Sequence, residues 1–347
     1  MKDITRNNIA SLLRSIESAG RISIVSHAKP DGDAIGSSIA MYHFIELLGK
    51  SDKAIVLNDG GPGYLKFIEG TIRPEDLITY ESSPEAALKR IQDSDLLICL
   101  DFHAFHRTKN LEAALEASEG AKILIDHHLD PDRQIYNLSF SMNEISSASE
   151  LLFWILMATP QIGGDAGKLP KECATALMTG MTTDTNNFGN SVYPSTLEMA
   201  SKLLEAGVDR DFILGKIHQE HTENRLRLKG HMLKDLMKVT DDGVAYMILD
   251  KKDQMEYNMQ EGDTEGFVNE PLSIAKVRMS IYAREDGEEI RISIRSKKGT
   301  SANRCARLFF DGGGHENAAG GKLRMQVSEV AEYIEKYTHI YLNEYEK

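Results

Sequence analysis

Cysteine is scarce: three in 347 residues, at 99, 173 and 305. Odd in number and widely spaced, they build neither a disulfide frame nor a zinc knuckle, and they read as small buried residues in a reducing cytoplasm. Long apolar runs are missing as well, and nothing approaches the ~20 residues of a membrane span. The opening Met1-Lys2-Asp3-Ile4-Thr5-Arg6 leads into a polar amphipathic helix and has no signal-peptide core. Internal repeats and low-complexity tracts are absent. So is a basic excess: 40 Lys and Arg face 53 Asp and Glu, a formal charge of −13. A nonspecific binder of long duplex would carry the opposite balance. What remains is an ordinary globular composition, 41% hydrophobic and 27% charged, in a chain long enough for two domains.

Against that background the stretch Ser26-His27-Ala28-Lys29-Pro30-Asp31-Gly32-Asp33 stands out. It follows the apolar run Ile22 to Val25, which reads as a buried strand, and it precedes apolar residues at helical spacing from Ala34 to Leu48. One imidazole and two carboxylates therefore sit where open α/β sheets bind ligands, at the carboxyl end of a strand. Two more apolar runs repeat the arrangement: Leu96 to Leu100 ends in Asp101, and Lys122 to Ile125 ends in Asp126-His127-His128. Asp184 follows the helical run Ala174 to Met181 as a fourth cluster, and all four read as successive βα junctions. A single strand-end aspartate is ordinarily a helix cap. Four such clusters of carboxylate and imidazole need a cation. Hard oxygen donors with a minority of imidazoles suit Mn²⁺, with Mg²⁺ as the alternative, and the lack of cysteine argues against structural zinc. About seven donors exceed what one octahedral ion holds beside water and substrate, so two ions sharing a carboxylate account for the count.

The organisation reads as an α/β catalytic domain over 1–190 with a parallel sheet, a helical bridge over 191–238, and a smaller mixed-sheet α/β domain over 239–347. In the bridge Leu197, Ala200, Leu203 and Leu204 read as one apolar face, followed by Phe212, Ile213 and Ile217. Between Lys276 and Arg307 nine basic residues meet four acidic ones, a local +5 in an acidic chain. Gly312-Gly313-Gly314-His315 comes directly after. Successive glycines let backbone amides approach an anion and permit positive φ. His315 can hydrogen-bond a phosphoryl oxygen or protonate a leaving alkoxide.

Taken in order, His27-x-x-x-Asp31-x-Asp33, Asp101, Asp126-His127-His128 and Asp184 resemble the four motifs of the DHH phosphoesterase superfamily. Gly312 to His315 with Ala318-Ala319-Gly320 resembles the signature of its DHH-associated C-terminal domain. The match spans residues 27 to 320 and is nearest the small NrnA-like enzymes, which act on very short oligonucleotides and on pAp. The resemblance implies that His27 and Asp31 hold one ion, that Asp33, His127 and Asp184 hold the other, and that Asp101 bridges. It leaves Asp126 to orient an imidazole and His128 to face the substrate phosphate, with His315 completing the catalytic set. Arg295-Ser296 is similar to the Arg-Ser pair preceding the glycine motif, so Arg295, Ser296, Gly312, Gly313, Gly314 and His315 are the implied substrate contacts. The implied activity is hydrolysis of short oligonucleotides to mononucleotides, of pAp to AMP, or both. Cyclic dinucleotides or pApA form the alternative substrate class, ahead of polyphosphate and of RecJ-like exonuclease action. A homodimer is compatible with all of this.

Overall fold

The computed structural model describes residues 3–129, 131–218, 222–260 and 262–345. The chain forms two compact units, Met1–Glu220 and His221–Lys347. In the first, β1 (Ile22–Ser26), β2 (Lys53–Leu57), β3 (Leu77–Thr79), β4 (Leu96–Leu100), β5 (Ala121–Asp126) and β6 (Leu138–Ser141) form one parallel sheet. The spatial order is β3-β2-β1-β4-β5-β6, so the winding reverses between β1 and β4. Around the sheet lie α1 (Arg6–Ser18), α2 (Gly32–Leu47), α3 (Lys66–Glu69), α4 (Pro84–Gln92), α5 (Glu112–Ala117), α6 (Ala148–Met157), α7 (Lys171–Asp184), α8 (Pro194–Glu205) and α9 (Arg210–His218).

Both faces of the sheet are covered, which is why its strands read as unbroken apolar runs. In β4, Leu96, Ile98 and Leu100 enter the core shared with α1, α2, α6 and α7, while Leu97 and Cys99 enter the core under α4 and α5. Helix α2 is buried on every side from Gly32 to Ile45, as a central helix must be. It meets α7 almost backbone to backbone: a methyl group on Gly36 would lie 2.7 Å from Ala176 O and 2.9 Å from Gly180 Cα.

The second unit carries α10 (Glu223–His231), α11 (Lys251–Glu256), α12 (Ala302–Phe309) and α13 (Val330–Ile340) with β7 (Lys238–Val239), β8 (Val244–Leu249), β9 (Met279–Asp286), β10 (Glu289–Ser296), β11 (Gly313–His315) and β12 (Ala318–Leu323). Its sheet is mixed, ordered β11-β12-β10-β9-β8-β7, with β8 and β9 parallel and the other pairs antiparallel. Alternate residues of β8, β9 and β10 pack on α12 and α13, and Met247, Leu249 and Tyr282 of the opposite face pack with Leu228 of α10.

One expectation needs correction. Leu197 and Leu204 do not share a buried face with Ala200 and Leu203; they are 55% and 47% exposed, and Phe212 is exposed as well. At 3.6 residues per turn the inward positions of α8 are Thr196, Met199, Ala200 and Leu203, so Leu197 and Leu204, seven apart, fall together on the outer flank. The glycine stretch runs into a strand. Gly313 and Gly314 lie in edge strand β11, paired with Gly320 and Ala319 of β12. Only Gly314 of the three has positive φ, at 151°. Steric closeness to β12 excludes side chains there, since a Cβ on Gly314 would stand 2.5 Å from Ala318 O and one on Gly312 would overlap Gly320 O.

Candidate metal centre

Strand register builds the site. Ser26 pairs with Leu100 and Leu100 with Ile125, so His27, Asp101 and Asp126 emerge at one level across three adjacent strands. That level is the carboxyl edge at the reversal of winding, where sheets of this kind open a crevice. His27 Nε2 lies 3.4 Å from Asp101 Oδ2 and 3.9 Å from Asp31 Oδ1. His127 Nε2 lies 3.4 Å from Asp101 Oδ1, 3.7 Å from Asp184 Oδ2 and 4.0 Å from Asp33 Oδ2. Asp101 thus stands between His27 with Asp31 on one side and His127 with Asp33 and Asp184 on the other.

Asp31 is also the cap of α2, accepting hydrogen bonds from the amides of Asp33 (3.0 Å) and Ala34 (3.1 Å). Asp184 does not sit at a strand end as the sequence pattern suggested. It is the last residue of helix α7, carried to the site by the Gly36–Gly180 crossing. Asp33 points to the N-terminus of α6, where Ala148 N–H (2.6 Å) and Ser149 N–H (2.9 Å) donate to its two oxygens. Asp126 is fully buried and accepts from His128 twice, at Nδ1 (2.7 Å) and at the amide (3.2 Å).

The electrostatics follow from crowding. Burial would raise the Asp101 carboxyl, but the imidazoles of His127 and His27 outweigh it and hold the group well below the usual carboxylate range. Burial would lower His27, yet Asp101 and Asp31 raise it to about 9. Poor solvation pushes the partly exposed Asp184 up to about 7, with His127 opposing and Asp31 and Asp101 adding to the push. Asp33 is raised too, first by burial and then by Asp101 and Asp184.

These residues fit a cation. Asp101 Oδ1 is buried and no hydrogen bond satisfies it, an arrangement that is costly unless something positive faces the atom. Ligand atoms of His27, Asp31 and Asp101 lie within 4.8 Å of one another, and so do those of Asp33, Asp101 and His127. The two groups share Asp101.

Three features escaped the sequence reading. Asp101 itself adopts left-handed backbone, φ 62°, which turns its carboxylate in over the strand ends while its amide bonds Ile125 O at 3.1 Å. The α6 amides that hold Asp33 are the second, and Ser147-x-x-Glu150, a capping-box pattern, was their available signal. His103 is the third: its ring lies 5.8 Å from that of His128 and its Nδ1 is buried without a partner. A histidine two residues beyond a strand-end aspartate was the clue.

In the second unit Arg295 of β10 pairs with Ala318 of β12, and Ala318 with His315 of β11. Arg295 and His315 therefore share a sheet face, one strand between them. Ser296 is buried, and its hydroxyl donates to Thr300 O (2.6 Å) and accepts from Asn317 Nδ2 (2.9 Å), tying the following turn.

An open parallel sheet that gathers carboxylates and imidazoles where its winding reverses is the frame of a metal-dependent α/β enzyme. Residues 21–181 match the N-terminal domain of the DHH family and residues 241–340 match the DHHA1 domain. The bifunctional oligoribonuclease and PAP phosphatase NrnA of Thermus thermophilus is 30% identical over 325 residues, 91% of this chain and 87% of its own. The cyclic-di-AMP phosphodiesterase GdpP of Geobacillus thermodenitrificans is 25% identical across 95% of this chain, which spans 49% of that protein. The crystal structure of an exopolyphosphatase-related protein from Bacteroides fragilis superposes with a TM-score of 0.90 at 39% identity, covering 97% of both chains. The chain belongs to the DHH family of phosphoesterases and carries its DHHA1 domain.

Proposed function

We propose that this phosphoesterase hydrolyses very short oligonucleotides to mononucleotides and converts pAp to AMP, using two Mn²⁺ ions. The observation that carries the reading is the pair of donor groups meeting at Asp101, in a chain aligned over 91% of its length with an enzyme named for both activities. His27 and Asp31 would hold one ion, Asp33, His127 and Asp184 the other, and Asp101 both. Bound there, the ions would supply Lewis-acid polarisation and neutralise charge on the phosphoryl oxygens. His128, held at Nδ1 by Asp126, would face the substrate phosphate. In the second unit Arg295, the amides of the glycine strand and His315 supply nucleotide recognition, and a guanidinium fork suits phosphate oxygens. The acidic balance of the chain supports a short substrate, because each added nucleotide brings a further charge toward a −13 protein. Cys99, Cys173 and Cys305, all buried and none in a disulfide, support a reducing compartment such as the cytoplasm.

Product analysis of the Mn²⁺-loaded protein on pApA, pAp, cyclic di-AMP, polyphosphate and RNAs of increasing length tests the assignment. The expected result is release of AMP from pApA and pAp, with kcat/KM highest for dinucleotides and falling steadily toward a twenty-four-residue RNA. Preferential opening of cyclic di-AMP would move the protein to the GdpP-like class. Efficiency that holds or rises with RNA length would overturn the short-substrate reading.

A further inference from the structure

Glu150 is fully buried in α6, and among the described residues its carboxylate hydrogen-bonds to none of the candidate ligands. Its Oε2 accepts three hydrogen bonds, from Ser146 N–H (3.0 Å), Ser146 O–H (2.5 Å) and Thr196 O–H (2.7 Å), while Oε1 accepts from Trp154 Nε1 at 3.3 Å. All four donors are neutral. A buried carboxylate is costly to desolvate, and a helix that needed only an N-cap already has one in Ser147 Oγ, which accepts from Glu150 N–H at 3.0 Å. The fold thus retains a buried carboxyl group, two of whose bonds go to Ser146, two residues before the first of the α6 amides that hold Asp33. Thr196, on α8, anchors the arrangement from 46 residues away.

We propose that Glu150 is a positioning residue for the metal centre: by fixing Ser146 against Thr196 it sets the first turn of α6, whose Ala148 and Ser149 amides hold both oxygens of Asp33. The inference rests on the metal reading of Asp33. Glu150→Leu removes every acceptor and leaves Ser146 N–H and two hydroxyls facing an apolar side chain. Glu150→Gln keeps a carbonyl oxygen for the three-donor position and gives up only the longest of the four bonds, that from Trp154 Nε1, so it serves as the conservative rescue. Leu156→Ala, a core truncation in the same helix, controls for lost stability.

Calorimetric titration with Mn²⁺ and amide hydrogen exchange are the two measurements. Glu150→Leu should weaken Mn²⁺ by ~10–100-fold, the range for residues that orient ligands, and should speed exchange at Ala148 and Ser149 more than tenfold. Glu150→Gln should stay within about threefold of wild type on both, and Leu156→Ala should melt earlier with unchanged Mn²⁺ affinity. If Glu150→Leu does not fold, Thr196→Val, which removes one donor at constant shape, should show smaller shifts of both quantities in the same direction. Unchanged affinity and exchange in Glu150→Leu, or in Thr196→Val in its place, or an equal loss of affinity in Leu156→Ala, overturns the proposal. Wild-type protein that takes up no Mn²⁺ would refute the metal reading, while the exchange rates would still decide whether Glu150 fixes α6.

Discussion

Gly180→Ala tests how tightly the fold and the site are joined. Gly180 is in the interior of α7, where alanine is the better helix former by ~1 kcal/mol. Propensity alone therefore predicts a more stable protein. The surroundings predict the reverse, because a methyl group at 180 would overlap Ser149 Oγ and lie 2.9 Å from Ser149 Cβ and 3.0 Å from Asp33 Oδ1. The hydroxyl can rotate away, but the other two atoms cannot move independently. Ser149 Cβ sits next to the amide that holds Asp33, and both Asp33 oxygens are already bound. Carbon atoms pack at ~3.5–4.0 Å, so α6 must retreat by more than half an ångström. Overpacking of this kind costs ~1–3 kcal/mol, which leaves a net destabilisation of about 1 kcal/mol and a melting temperature lower by ~2–4 °C. The same displacement moves Asp33 away from His127, and Mn²⁺ affinity should fall at least tenfold. Differential scanning calorimetry and Mn²⁺ titration of the variant measure both effects. A melting temperature raised by the helix preference of alanine, with metal affinity intact, would refute the close-contact reasoning.

Asp101→Ala should reduce turnover below a hundredth of wild type under saturating Mn²⁺, since no neighbouring carboxylate lies between His27 and His127; retention of a tenth would show that Asp101 is not shared. Asp101→Gly should melt ~2–4 °C above Asp101→Ala, because both lose the carboxylate but only glycine accepts φ 62° without strain; equal melting temperatures would mean that the left-handed turn costs nothing. Asp126→Ala should cost a milder ~10–100-fold in kcat/KM, as it frees the direction of His128 without removing a ligand, and a loss as deep as that of Asp101→Ala would place Asp126 among the ligands. The metal-free protein should lose stability as pH rises from about 4 to about 9. Asp184, raised in the fold from 3.8 to about 7, favours the native state below its unfolded value and ceases to do so as pH passes 7; His27, raised from 6.5 to about 9, behaves alike in its own window. Asp101, depressed, acts oppositely and only in acid below 3.8. Thermal melts in EDTA across this range check the sign, and a melting temperature that climbs toward pH 9 contradicts it.

Parallel strands covered on both faces are unbroken apolar runs, so β1, β4 and β5 and the ligands at their tips were legible in the sequence. Asp184 was found for its chemistry and set just after a helical run, but it was grouped with the strand ends, whereas helix α7 extends to it and ends there. The partners of Asp33 were out of reach: Ser147-x-x-Glu150 marks a helix start, but its amides at Ala148 and Ser149 are 115 and 116 residues away and nothing in the sequence pairs them with Asp33. The left-handed turn at Asp101 was hidden for a related reason, since an aspartate tolerates that conformation without requiring it. Gly312 to Gly314 read as backbone open to the approach of an anion, and what excludes side chains at 312 and 314 is the neighbouring strand β12, known only once the sheet is paired.

Register explains why recognising three strand tips nearly sufficed to recognise one site. Sliding β4 by one residue along β1 would carry Asp101 ~3.3 Å out of line with His27 and Asp126. The same slip would exchange its faces, sending Leu97 and Cys99 toward α2 and Leu96, Ile98 and Leu100 toward α4. Five fully or almost fully buried side chains oppose that exchange, because the two layers are packed for different shapes. The spacing between His27, Asp101 and His127 is therefore held by hydrophobic burial on both sides of the sheet, at a distance from any charge. Repulsion among Asp31, Asp33, Asp101 and Asp184 acts on a frame that cannot yield by slipping, and this is how four carboxylates stay gathered for a cation to bind.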